Sequence, residues 1–448
     1  MGRPCLRAPN KTPREPRCAS GRVAARRGDG DVLGSGTARS LDASDDGPRR
    51  NPQGRASFVA CLCHSGLAHW SPMRVALAPW PATRSAPSRP RGVLLGALRL
   101  GRFALLAAAA GVLLLALERV PWAAEQPAPP ANQDEAIDQA TERGLAYLAK
   151  SQDADGSFPS NWGKNTGVTS LCVMAFLAKG HTPGEGPYRD VVNKGLDSVL
   201  GSRRQDGLLV GEDRTHGPMY SHTISTLLLS EVSGMVDPER QKKIDELLPE
   251  ALRLILNAQK VEKLEPFKGG WRYQRDSNDS DISTTGWPLM ALRSARNNGA
   301  DVPKEAIEYA LEFIMKCRTP DGGFAYQPGQ GPGPARTGVA LLSLELCGRH
   351  RSEAAIGAGD WILKHPPKDP NEEWYHYAVY YCSQGMFQLG DDYWKPFSAT
   401  LYESLLKQQQ QDGSWPIGSS GREGACYATA MSVLALSVPY CQLPIYQR

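Results

Sequence analysis

The alternation of apolar and polar residues that marks a half-buried strand is nearly absent from this 448-residue chain. That excludes a fold built on sheets and leaves all-α as the fold class. Phosphate-cradling loops and Gly-x-Ser-x-Gly elements are missing too. The glycine-dense stretch Gly329-Gln-Gly-Pro-Gly-Pro334 carries prolines and leads into an apolar helical run, so it reads as a long turn. Metal-type cysteine pairing is lacking. Cys172, Cys317, Cys347, Cys382, Cys426 and Cys441 are scattered, several in apolar helical runs as buried thiols would be. Cys61-Leu-Cys63-His64 stands alone, without the second ligand pair that structural zinc wants, and reads as chance. A positive net charge is missing from the part that folds. Residues 1–102 carry a net +12 and the remaining 346 a net −8, so the overall +4 averages two unlike pieces. A nucleic-acid binder would place its Lys and Arg on the folded part, and no nucleic-acid partner is expected.

Residues 1–72 are rich in Arg, Gly, Pro, Ser and Ala without helical or strand period. They are expected to be a disordered basic leader, with Met73 as an alternative start. After Met73, arginines at 74, 84, 89, 91, 99 and 102 precede the uncharged run Phe103–Leu117, which is 15 residues long. That length suits a signal-peptide core and falls short of the roughly 20 residues of a comfortable span. Residues 73–124 therefore read as a signal peptide or a tilted signal anchor. Cleavage near Pro121-Trp-Ala-Ala124 and anchoring both stay open. Residues 125–133, with Pro127, Pro129 and Pro130, read as a stiff linker. The expectation is an exported protein of the cell envelope, either anchored by its N-terminal segment or released after cleavage. Membrane contact would be confined to that segment.

From residue 134 a phrase returns. Gly144-Leu-Ala-Tyr-Leu-Ala-Lys-Ser-Gln-Asp-Ala-Asp-Gly156-Ser-Phe158 is echoed around Gly207, at Gly322-Gly-Phe324 and at Gly413-Ser-Trp415, with degenerate copies at Gly269-Gly-Trp271 and Trp361–Trp374. Six copies indicate repeated supersecondary units. Each reads as helix, Gly-rich turn, helix. In the first, Ala136–Lys150 is amphipathic, Asp155-Gly156 breaks it, and Thr169–Ala178 is apolar before Gly180. The second helix of each unit is small and apolar enough to be buried on most sides, while the first carries more charge and belongs outside.

These repeats resemble those of the squalene cyclase and protein prenyltransferase β-subunit superfamily. The shared signature is a Gln followed within a few residues by Gly-x-aromatic, as in Gln411-Asp-Gly413-Ser-Trp415 and Gln152…Gly156-Ser-Phe158. The resemblance covers residues 134–448 and implies one α/α toroid of about six helical hairpins, inner helices surrounding a central cavity. In that superfamily the cavity is lined from the N-terminal ends of the inner helices. The resemblance thus nominates Tyr220, His222, Ser283, Trp287, Arg336, Trp374, Tyr375, His376 and Tyr427 as lining. Ordinary roles compete at each position, because Ser and Asp at helix starts cap and Tyr or Trp fill cores.

Two chemistries of the superfamily can be compared residue by residue. Zinc prenyltransferases use an Asp-x-Cys pair and a Tyr-His element. Asp281-Ile-Ser283 puts Ser where the Cys ligand would be, and Tyr375-His376 lies a repeat too far along, so no metal is expected. Class II terpene cyclases protonate an alkene through Asp-x-Asp-Asp. Asp279-Ser-Asp281-Ile282 supplies the first three positions, with Asp281 as acid and Asp279 as the carboxylate that would share its proton. The competing reading makes Asp281 an N-cap near Ser283, for which Asn would substitute at little cost. The thioester of complement toroids would need Cys-Gly-Glu-Gln, and Cys382-Ser-Gln384-Gly has the wrong order. No cofactor is expected. The functional expectation is a ring that binds an apolar isoprenoid or lipid ligand, with cyclase-type acid chemistry at Asp281. The alternative is a non-catalytic ring that binds an envelope protein. A sugar-processing toroid would need a paired set of carboxylates.

Overall fold

A computed structural model describes residues 132–372, 374–418 and 424–447. The expected leader, signal segment and most of the linker, residues 1–131, lie outside the described residues. Among those described are twelve α-helices, two short 3-10 turns and four isolated β-bridges, with no strand. The first helix, α1 (Gln133–Ser151), begins inside the expected linker, because the Asn132 side chain accepts from the Glu135 amide at 2.8 Å and caps it.

Even-numbered helices form an inner ring: α2 (Thr166–Ala178), α4 (Met219–Val232), α6 (Ile282–Asn297), α8 (Pro334–Leu346), α10 (Tyr375–Leu389) and α12 (Ala425–Leu436). Each packs on the next, and α12 packs back on α2, so the ring is closed. Odd-numbered helices lie outside: α1, α3 (Arg189–Leu200), α5 (Pro238–Lys260), α7 (Lys304–Lys316), α9 (Glu353–Lys364) and α11 (Asp391–Gln408). The outer helices bury one stripe, in α1 the residues Ile137, Ala140, Leu145 and Leu148, whereas every residue of α2 is buried. This is the α/α toroid that the repeats imply.

The repeated phrase is structural cement. Gly413 has φ +91°, and a Cβ there would meet the Arg143 carbonyl oxygen at 2.3 Å. Gly156, at φ +83°, would meet that of Lys194 at 2.1 Å. Only glycine permits both the left-handed turn and the close approach of the next outer helix. The aromatic residue two positions on is fully buried, and its amide donates to a Thr hydroxyl of the following inner helix: Phe158 to Thr169 at 3.2 Å, Trp271 to Thr285 at 3.0 Å, Phe324 to Thr337 at 3.0 Å and Trp415 to Thr429 at 3.2 Å. The glutamine that clamps the last turn is Gln409, not Gln411. Its amide nitrogen donates to the Ala140 and Gly413 carbonyls at 2.8 and 2.9 Å, tying the sixth repeat to the first outer helix. Gln152 does the same to Gly156 and Val191 at 3.1 and 2.9 Å. Gln411 is exposed.

Candidate functional site

All six inner helices start at the same end of the ring, and there their first turns enclose a cavity of about 790 Å³. Of the nominated residues, Tyr220, Ser283, Trp287, Arg336, Trp374, Tyr375 and Tyr427 line it. Tyr377 of α10 joins them, along with Trp162, Tyr273 and Tyr326 from the loops that precede inner helices. Arg214, His216 and Glu372 add charged and polar groups from loops. Nine of the lining residues are Trp or Tyr. Trp162 meets Tyr427 edge-on at 5.6 Å, and Trp287 stacks on Tyr380 at 5.6 Å with 10° between the planes. Burial holds the Tyr220 and Tyr377 phenols well above their ordinary range, so both stay protonated, and Tyr377 donates to the Ser283 carbonyl at 2.9 Å. Trp374 stands at the start of α10 with φ 66°, a left-handed conformation that a bulky residue rarely adopts. Such strain tends to sit where a side chain must be aimed.

His222 and His376 are placed elsewhere. His222 is buried behind the ring wall, its Nδ1 accepting the Leu209 amide at 3.1 Å and its Nε2 facing the Ala251 carbonyl at 3.2 Å. It takes in the second repeat the place that Thr169, Thr285, Thr337 and Thr429 take in others. His376 faces the Pro416 carbonyl at 2.9 Å and Ser432 at 3.2 Å. Burial lowers both imidazoles to about 4, so they are neutral at pH 7.

Asp281 and Asp279 come together, though not on the cavity wall. Asp281 is fully buried and caps α6, with Oδ1 accepting the Thr284 amide at 2.8 Å and Oδ2 the Thr284 hydroxyl at 2.9 Å. Arg272 donates from Nη1 to the same Oδ2 at 2.7 Å, and its Nε lies 3.1 Å from Asp279. Instead of sharing a proton, the two carboxylates share a guanidinium. Burial raises the Asp281 carboxyl, while the Thr284 contacts and Arg272 oppose that rise. Arg272 itself is held charged above its ordinary value, chiefly by Asp281 against the opposing effect of burial. Arg272 also donates to the Tyr326 hydroxyl, which is hydrogen-bonded to that of Tyr273. The Asp pair is thus linked through Arg272 to two wall phenols. Arg272, directly after the degenerate Gly269-Gly-Trp271 copy, has no counterpart in the repeat pattern, so the pattern does not single it out.

Among the described residues no group of three or more His, Cys, Asp or Glu side chains is placed to hold a metal ion. No helix among them is long and apolar enough to cross a membrane.

No family model matches the chain. Curated proteins similar to it are the drimenyl diphosphate synthase of Streptantibioticus cattleyicolor, 24% identical over 204 residues covering 45% of this chain and 35% of that protein, and that of Streptomyces showdoensis, 24% identical over 198 residues covering 44% and 34%. The chain spans about a third of the length of these relatives. Among solved structures, an α-1,6-mannanase of Salegentibacter with bound α-1,6-mannotriose covers 68% of this chain and 98% of its own at 11% identity and a TM-score of 0.49. A type II terpene cyclase of Scytonema in complex with merosterolic acid A covers 69% and 99% at 15% identity and a TM-score of 0.46.

Proposed function

We propose that the ring binds an apolar isoprenoid chain in its central cavity, and that binding rather than proton donation by Asp281 is its activity. The observation that carries the reading is the cavity of about 790 Å³ walled by Trp162, Tyr220, Trp287, Trp374 and Tyr377, a volume and an apolar surface suited to a small hydrocarbon-rich ligand. Aromatic faces stack on unsaturated chains and attract positive charge along them. Similarity to synthases of a terpenyl diphosphate supports the isoprenoid over other lipids. Against an acid role stands the saturation of Asp281: both oxygens are occupied by Thr284 and Arg272, and neither reaches the wall. A paired-carboxylate glycosidase reading has less support, since Glu372 is the one carboxylate among the described lining residues. Export to the envelope through residues 73–124 completes the proposal and rests on the sequence alone.

Titration of the purified full chain with farnesol and geranylgeraniol tests the reading through tryptophan fluorescence. A saturable change is expected, weakened at least tenfold in Trp287→Ala. No saturable change with either alcohol, together with native mass spectra free of lipid adducts, overturns it.

A further inference from the structure

The opposite end of the ring is closed by the chain's own last residues. Leu443, Ile445 and Tyr446 are buried there. The 3-10 turn Pro444–Tyr446 packs on α6, and the turn Val438–Tyr440 on α10 and α12. Gln388, near the end of α10, donates to the Tyr446 carbonyl at 3.0 Å, and the Tyr446 and Tyr380 hydroxyls are hydrogen-bonded. The Ile445 amide donates at 3.0 Å to Glu231 of α4, a carboxylate 1% exposed that no step of the ligand reading uses.

We propose that this C-terminal segment is a releasable plug, latched by Glu231 while its carboxyl is protonated and loosened when the carboxyl ionises. The partners of Glu231 explain the preference. Facing it are Ser294 from α6, Tyr380 from α10, and Tyr446 and the Ile445 amide from the segment. None is a cation. The Ser294 hydroxyl donates to Oε1 and the Ile445 amide to Oε2, two neutral donors that oppose the effect of burial without outweighing it. On protonation Ser294 can accept from Oε1 and turn its own hydroxyl to Ser230, 2.7 Å away, which accepts from Asn298. An ionised carboxylate has no positive partner and needs water, which it reaches only if the segment lifts. Burial raises the Glu231 carboxyl to about 7 from its ordinary 4.5. A depression of about 550 Å³ beside the segment, lined by Arg351, Phe387, Tyr446 and Gln447, leaves one side of it loosely packed.

The plug backs the cavity wall. Tyr446 holds Tyr380, and Tyr380 stacks on Trp287, which lines the cavity. Release would therefore loosen the wall from behind, whatever the cavity binds. The sign follows from the shift: an acid raised in the seated state favours seating below about 4.5 and loses that advantage as pH rises to about 7. The coupling is at most roughly 300-fold in the seating equilibrium.

Hydrogen exchange of the full chain at pH 5, 7 and 8.5, corrected for intrinsic rates, tests the plug at the Leu443, Ile445 and Tyr446 amides. Protection is expected to fall by up to roughly 70-fold across that range, nearly all of it between pH 5 and 7 and little above. Glu231→Gln, neutral at every pH, should keep these amides protected throughout. Protection that does not change with pH in the wild type, or the same fall in Glu231→Gln, overturns the proposal. Should that variant not fold, infrared spectra of the wild type decide. A protonated carboxyl band present at pH 5.5 and lost as pH rises through about 7 supports the latch, and no such band at pH 5.5 overturns it.

Discussion

Replacing Asp281 separates the cap from the ion pair. In Asp281→Ala the α6 N-terminus loses the acceptor at 2.8 Å from the Thr284 amide, a loss of about 1 kcal/mol. Arg272, with a side chain 21% exposed, loses the partner at 2.7 Å and keeps Asp279 at 3.1 Å. Breaking a fully buried pair costs about 3–5 kcal/mol, and partial exposure with a surviving partner brings this to about 1–2. The expected total is about 2–3 kcal/mol, read as a lowered urea midpoint at unchanged m. Asp281→Asn is the sharper perturbation. Its oxygen can keep the Thr284 amide, but its NH₂ then faces Arg272 Nη1, donor against donor, where the sequence reading expected little cost. About 1–2 kcal/mol should be lost, and the Tyr273–Tyr326 contact that Arg272 organises should loosen. If Asp281→Asn melts like the wild type, the Arg272 pairing contributes nothing and the capping account alone stands. If Asp281→Ala costs nothing either, the reasoning fails altogether.

Gln409→Ala removes two bonds to carbonyls of buried residues at the ring seam and is expected to cost about 1–3 kcal/mol by chemical denaturation, while Gln411→Ala, at an exposed site, should stay within about 0.5 kcal/mol. For His222, a base lowered from 6.5 to about 4 by burial, stability is full above pH 6.5 and falls as pH drops toward 4, by up to about 3 kcal/mol. His222→Thr restores the anchor used in other repeats and should flatten that part of the pH–stability profile. A profile in His222→Thr as steep as the wild type between pH 6.5 and 4 would count against the buried, neutral assignment.

What the sequence displayed and what it concealed follow from burial. Outer helices such as α1 meet solvent on one side, so their apolar spacing is visible. The Gly156 and Gly413 turns are visible because no other residue fits a left-handed turn pressed against a neighbouring carbonyl. The inner helices hide their orientation for the same reason that they are recognisable: α2 is buried all round, and no polar stripe says which face meets the cavity. Tyr220 and His222 sit two residues apart at one helix end, about 200° around the axis, so one lines the cavity and the other anchors the outer layer. Gln409 could not be told from Gln411 because the run Gln408–Gln411 offers four amides, and only the reach of the turn selects one. Arg272 and the latch at Glu231 depend on partners distant in sequence, Tyr326 for the first and Ile445 for the second. Periodicity cannot report such pairs, since each side chain alone reads as an ordinary charge on a loop or helix. Closure of the ring sets their spacing, and closure is a property of all the repeats together.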